Sequence, residues 1–310
     1  MSPRPVYFDC DTGIDDALAL AYLMASPEIQ LVGIGTVSGN INARQAAVNT
    51  LDLLAMGGKG DVAVAVGAMD PLTHGYSGGV PHIHGHNGVG DVELPHTDRG
   101  PEAESAADML VRLAHAHPGE LDVIAIGPLT NLALALKLDP SLPARVARLV
   151  VMGGAVNGRG NITPFAEFNT HFDPEAAHIV FEAFPAFDLA DWEATVAHGF
   201  LHADVDVWCG VDSPRARFYD GISQKTRAWS GERRGDRWHS ADSLAMAFAL
   251  APEAAETARH ALRVALDGPG RGMTLVDWQD HRRGPANARI LIRYDQAAFE
   301  ARVARALAAG

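Results

Sequence analysis

Short β-prone runs alternate with helix-like stretches through the first half of the chain, and this alternation limits the fold more than any other feature. Residues 6–8, 31–37, 62–66, 121–126 and 149–152 read as strands; residues 15–25, 43–56, 103–116 and 129–138 read as the helices between them. Strands separated by helices pair in parallel, and a parallel sheet needs helices on both faces. Further on the pattern loosens. Residues 174–184, 214–229 and 242–250 look helical, and from Leu262 short strands precede a final helix at 296–307. There is no linker, low-complexity segment or repeat, so residues 1–310 are expected to form one domain.

Composition narrows the partners. A formal net charge of −13 argues against nucleic acid or an anionic membrane surface. Solubility alone would explain the surplus acid, as would carboxylates gathered around a cation. Cys10 and Cys209 form no ligand or redox pattern, which fits a reducing cytoplasm. The opening Met-Ser-Pro-Arg-Pro lacks an apolar signal core, and no apolar run reaches membrane-spanning length. A cytoplasmic location is the expectation.

In sheets of this kind ligands bind beyond the carboxyl ends of the strands. The residues that follow the expected strands are Asp9-Cys10-Asp11, Ser38-Gly39-Asn40, Gly127-Pro128-Leu129-Thr130-Asn131 and Gly153-Gly154. All are polar, glycine-rich or acidic and would converge on one rim. The first loop is the most demanding. In Asp9-Cys10-Asp11-Thr12-Gly13-Ile14-Asp15-Asp16, four carboxylates fall within eight residues. They repel one another unless neutralised, and a hard divalent cation with oxygen ligands is the natural solution. Helix capping would account for Asp15 and Asp16 but not for Asp9 and Asp11, which end the strand.

This loop resembles the signature of the nucleoside hydrolase family (inosine-uridine preferring N-ribohydrolases), Asp-x-Asp-Pro-Gly-x-Asp-Asp, with Thr12 in place of proline. Ser38-Gly39-Asn40 and Gly127 to Ala133 resemble its second and third loops. Met152-Gly153-Gly154, Asn161 and Ala166-Glu167-Phe168-Asn169 resemble its ribose-binding stretch. Asp242 resembles its late metal aspartate, and Gly272 to Asp277 its C-terminal strand. The motifs come in the family's order along nearly the whole chain. The resemblance implies an open, mostly parallel Rossmann-like sheet with helices on both faces. It implies hydrolysis of the N-glycosidic bond of ribonucleosides, in purine or pyrimidine salvage, by a homodimer or homotetramer.

It also implies roles. Asp11, Asp16, Asp242 and the Thr130 carbonyl would hold Ca²⁺, and Asp11 would take a proton from the water whose pKa the metal lowers. Asp15, Asn40, Asn169 and Asp242 would bind the ribose 2′- and 3′-hydroxyls. Asn161 and Glu167 would bind the 5′-hydroxyl, with Met152 and Phe168 in the same pocket. Asp9 would support the others from behind. Taken singly, Asn40 reads as a turn residue, Glu167 and Asn169 as a solvated loop, and Thr130-Asn131 as a helix cap.

The base side is less determined. His82, His84 and His86 lie in a glycine-rich stretch too loose for a zinc site. The family's His-Gly pair near the base points to His84. Family members that favour inosine and uridine usually carry histidine before the late aspartate, whereas Ala241 stands there and Ser243 replaces a usual proline. A proton for the base would come from His239 or His84, or stacking on Trp229 or Trp238 would help it leave; both tryptophans also read as core residues. Two other readings start from the same residues. One is a haloacid dehalogenase-type Mg²⁺ phosphohydrolase with Asp9 as nucleophile. The other is a nucleoside- or ribose-binding protein without turnover.

Overall fold

The computed structural model describes residues 3–281 and 284–309. In chain order the strands are β1 (Arg4–Cys10), β2 (Ile29–Thr36), β3 (Val64–Val66), β4 (Leu121–Ala125), β5 (Val146–Met152), β6 (Phe187–Ala190), β7 (Phe200–Leu201), β8 (Arg237–Trp238), β9 (Ala255–His260), β10 (Leu262–Val264), β11 (Thr274–Val276) and β12 (Ala288–Tyr294). Eight of them form one sheet in the order β3-β2-β1-β4-β5-β6-β12-β9. Neighbours are parallel throughout, except that β9 closes the edge antiparallel to β12. β7 with β8 and β10 with β11 make two small antiparallel ribbons. This is the open, mostly parallel α/β sheet that the alternation predicts.

Both faces are covered, so the inner strands are apolar on both sides. Val6, Phe8 and Cys10 of β1 enter one core with the Ile14–Met24 and Ala241–Leu250 helices. Tyr7 enters the other with the Ala106–Ala116, Thr130–Leu138 and Pro174–Ala183 helices. The Ala241–Leu250 helix is buried at every residue and is apolar all round apart from Asp242 and Ser243 in its first turn. It seats Asp242 against the Ile14–Met24 helix, which carries Asp15 and Asp16.

Several elements differ from the sequence expectation. β6 and the edge strand β9 are additional; β6 has only four residues, and β9 is too polar to read as a buried strand. Pro81–His84 forms one helical turn inside the glycine-rich stretch. The helix expected at 214–229 spans Pro214–Arg234 and stops at Gly235, whose φ of 75° suits glycine. Arg233 and Arg234 in its last turn complement the helix dipole.

One close approach fixes β1 against β2. Gly35 faces Asp9 in register, and a Cβ there would fall 1.9 Å from the Tyr7 hydroxyl and 2.6 Å from Asp9 Oδ2. The Tyr7 hydroxyl donates to Asp9 Oδ2 at 2.8 Å, so glycine makes room for that bond. Gly35→Ala is expected to lose about 1–3 kcal/mol through overpacking. A denaturant midpoint unchanged from wild type would contradict this close contact.

Candidate active site

The carboxyl ends of β1, β2, β4, β5 and β6 open onto one cleft. Asp15, Asn40, His84, Met152, Asn161, Glu167, Phe168, Asn169, Trp229, Trp238, His239 and Asp242 all line it. Asp11, Asp16 and Thr130 are almost wholly buried, each 1% exposed.

Asp11 leaves the end of β1 between two glycines. A Cβ on Gly39 would sit 2.2 Å from its Oδ2, and one on Gly127 would sit 3.0 Å from its Oδ1. The Asn40 N–H donates to Asp11 Oδ2 at 2.6 Å. Asp16 Oδ1 accepts from the Asp11 N–H, and its Oδ2 from the Gly13 N–H and the Asn40 side-chain amide. Asp16 thus caps its helix and belongs to the carboxylate group at once. Single oxygens of Asp15, Asp16 and Asp242 lie within 4.8 Å of one another. Asp15 Oδ1 is buried with no hydrogen-bond partner. Burial, and then mutual repulsion, holds the carboxyls of Asp11 and Asp242 well above the ordinary range; burial raises Asp15 and Asp16 as well. Oxygen-only donors, excess negative charge and an orphaned carboxylate oxygen fit a hard divalent cation.

Asp9 lies deeper. It is 0% exposed and accepts from the Tyr7 hydroxyl and the Asn131 amide, which also donates to the Thr36 carbonyl. Burial pushes its carboxyl up to about 7. The Thr130 hydroxyl donates to Asp173 at 2.8 Å.

Glu167 caps the Phe168–Phe172 helix, accepting from the Asn169, Thr170 and Gly154 N–H groups. Burial lifts its carboxyl to about 7. The Asn169 amide donates to the carbonyls of Ile126 at 2.7 Å and Met152 at 3.3 Å, which presents its own carbonyl oxygen as an acceptor. Asn161 Oδ1 accepts from the Phe168 N–H, leaving its amide nitrogen as a donor. These loop residues are fixed by backbone bonds rather than freely solvated.

Beside Asp15, His84 Nδ1 accepts the Ile14 N–H at 3.0 Å, so in the neutral ring Nε2 carries the hydrogen. His239 Nδ1 is buried without a partner. Burial lowers both rings to about 4; Arg234 adds to the effect at His239. Neither is a stored proton at neutral pH. Trp238 is 3% exposed and packs on Phe200 and Tyr219, bordering the cleft from the core. Trp229 is half-buried and lies against Arg233 and Arg234. His82 is exposed at the rim, 6.2 Å from the Trp229 ring; His86 is exposed, with its N–H on Asp91.

The cleft also includes Trp192, Thr226, Ser230 and Arg234, which the sequence reading did not select. Trp192 follows β6, the strand too short to be noticed. Thr226, Ser230 and Arg234 repeat at helical spacing on the Pro214–Arg234 helix, a pattern open to recognition once that helix was known to extend past 229.

A family model described as inosine-uridine preferring nucleoside hydrolase matches residues 6–301. The chain is 43% identical to uridine nucleosidase 1 of Arabidopsis thaliana over 173 residues, 56% of this chain and 52% of that protein. It is 31% identical to the pyrimidine-specific ribonucleoside hydrolase RihA of Citrobacter koseri over 310 residues, 98% of each chain. The solved structure of a plant nucleoside hydrolase, the PpNRh1 enzyme, superposes with a TM-score of 0.94 at 30% identity, covering 99% of this chain and all of the other.

The carboxylate cluster gives a pH signature. On unfolding, its members return to an ordinary value near 3.8, whereas folded Asp15 and Asp16 titrate at about 6. The folded state therefore holds protons that the unfolded chain has lost. The cluster favours folding at low pH, and that contribution disappears as pH rises through the folded values. A divalent cation offsets the repulsion only where the carboxyls are ionised. The gain in melting temperature on adding Ca²⁺ to chelated protein should be small near pH ~4 and grow toward pH ~7. A gain independent of pH would contradict cation binding at this cluster.

Proposed function

This chain belongs to the inosine-uridine preferring nucleoside hydrolase family and hydrolyses ribonucleosides; from that premise we propose that it cuts the N-glycosidic bond with Ca²⁺ held by Asp11, Asp16, Asp242 and the Thr130 carbonyl. The observation that carries this reading is the buried carboxylate group with an unpaired Asp15 oxygen at its cleft face. When bound, the cation would offset that charge, lower the pKa of the attacking water and engage ribose hydroxyls.

The chain's own residues do the rest. The Asn40 N–H fixes Asp11 Oδ2, so Oδ1 is left to accept the proton of the water that attacks C1′. Asp15, Asn40, Asn169 and Asp242 bind the 2′- and 3′-hydroxyls; the Asn169 carbonyl is already oriented for this by its amide bonds. The Asn161 amide and Glu167 hold the 5′-hydroxyl, and Met152 and Phe168 pack against the sugar. Positive charge grows on the ribose as the bond lengthens, and the surrounding carboxylates stabilise it. At the base, His84 offers Nε2–H as a hydrogen-bond donor. His239 and Trp229 are the remaining contacts, with Trp238 reaching the cleft from the core, where it packs on Phe200 and Tyr219.

The phosphohydrolase alternative requires Asp9 to attack phosphorus. Asp9 is 0% exposed and bound by Tyr7 and Asn131, which leaves no room for attack. Our reading further takes residues 1–310 as one catalytic unit that assembles as a homodimer or homotetramer and serves nucleoside salvage in the cytoplasm. Both cysteines are free and buried, as a reducing compartment allows.

Asp11→Ala removes base and ligand together and should abolish turnover; full activity after exhaustive chelation would sink the calcium assignment. A site built to bond the 2′-hydroxyl leaves buried polar groups unpaired when it is missing. 2′-Deoxynucleosides should therefore lose about 10⁴-fold in kcat/KM. Equal kcat/KM for a ribonucleoside and its 2′-deoxy analogue would refute the ribose contacts.

A further inference from the structure

The two ends of the cleft carry opposite charge. Asp15 and Asp242 line the ribose end, with Asp11 and Asp16 buried near them. The outer end contains Arg234, whose guanidinium lies 4.6 Å from the Trp192 ring centroid and 4.9 Å from that of Trp229. Two indole contacts hold a cation in place and restrict its rotamers. Neither ring accepts a conventional hydrogen bond, so the N–H donors of the guanidinium are not used up by these contacts. Among the described residues no carboxylate or carbonyl accepts from Arg234, whereas Arg148, Arg227, Arg271 and Arg289 each have a carboxylate partner. Burial lowers the neighbouring His239 to about 4. Arg234 is the only arginine or lysine among the described residues that line the cleft.

Resting on the functional reading above, we propose that Arg234 is a catalytic residue that receives the departing base, its N–H donors binding the base's carbonyl or ring nitrogen and offsetting the negative charge that develops there. The C1′–N bond breaks heterolytically, and its electron pair leaves with the base nitrogen. The base departs as an anion held by the guanidinium, which stays protonated. Water adds to C1′ and gives a proton to Asp11. Asp11 returns that proton to solvent and solvent protonates the base after release, so ribose and neutral base balance nucleoside and water. This arrangement supplies leaving-group help where Ala241 offers none. A guanidinium suits the task because it presents a planar set of donors and does not titrate in this range. Arg233, also in the last turn, serves the helix dipole equally well, so the dipole does not account for Arg234 alone.

The test compares wild type, Arg234→Lys and Arg234→Gln on natural nucleosides and on aryl ribosides with phenols of graded pKa, p-nitrophenol the most acidic. Arg234→Gln should lose about 10²-fold or more in kcat/KM on a natural nucleoside and less than about 10-fold on p-nitrophenyl riboside. Its plot of log kcat/KM against leaving-group pKa should be steeper than that of wild type, with Arg234→Lys between them. A purely structural latch between the two helices would lower all substrates alike and leave that slope unmoved. Parallel losses across the series, or no loss, overturn the role of Arg234 and leave the hydrolase reading intact. If wild type releases neither base nor phenol, the functional reading fails and this proposal with it. Activity on p-nitrophenyl riboside reports that each variant is folded.

Discussion

Carboxylates buried side by side are unstable unless something holds them, and the architecture around Asp11, Asp15, Asp16 and Asp242 is organised by that constraint. Backbone N–H groups of Asp11, Gly13 and Asn40 point at the carboxylate oxygens. Gly39 and Gly127 allow the chain to approach Asp11 more closely than any side chain would permit. Behind them Asn131 ties Asp9 to the end of β2 through the Thr36 carbonyl. Even so, Asp15 keeps an unsatisfied oxygen at the cleft. Protein donors alone do not complete the site, and a divalent cation would do so.

The same constraint gives the cleft its polarity. A carboxylate-rich inner end favours positive charge on a sugar, whereas the outer end places a guanidinium between two indoles. Bond cleavage separates charge along this axis, so both ends act on the same step. The two ends rest on different parts of the fold. The inner end comes from strand termini and the first turns of two buried helices. The outer end comes from the long Pro214–Arg234 helix and from Trp192, which follows β6.

That division explains what the sequence disclosed. The inner end is legible because its signals are local: Asp9 lies near the end of β1 and three more acids follow it, and Asn40, Thr130 and the Glu167 loop lie at strand ends or beside helix starts where ligands are expected. Asp16 fits the capping reading and also belongs to the carboxylate group: its two oxygens accept the Asp11 and Gly13 N–H groups while the carboxylate lies beside Asp15 and Asp242. The outer end was hidden because its residues meet only through tertiary packing. Trp192 follows a four-residue strand with little periodicity, and Arg234 lies in a polar helix whose end is set by Gly235. Trp238 shows the reverse case: beside Asp242 in sequence, it packs into the core on Phe200 and Tyr219. No local pattern separates a tryptophan that stacks on a ligand from one that fills a core.

The central claim is that this carboxylate-lined cleft hydrolyses ribonucleosides. The most direct measurement is release of reducing sugar and free base from a panel of purine and pyrimidine ribonucleosides, by calcium-loaded protein in phosphate-free buffer. The account predicts equal amounts of ribose and base from at least one ribonucleoside. Absence of both products across the panel, together with turnover of p-nitrophenyl phosphate in Mg²⁺, would contradict it.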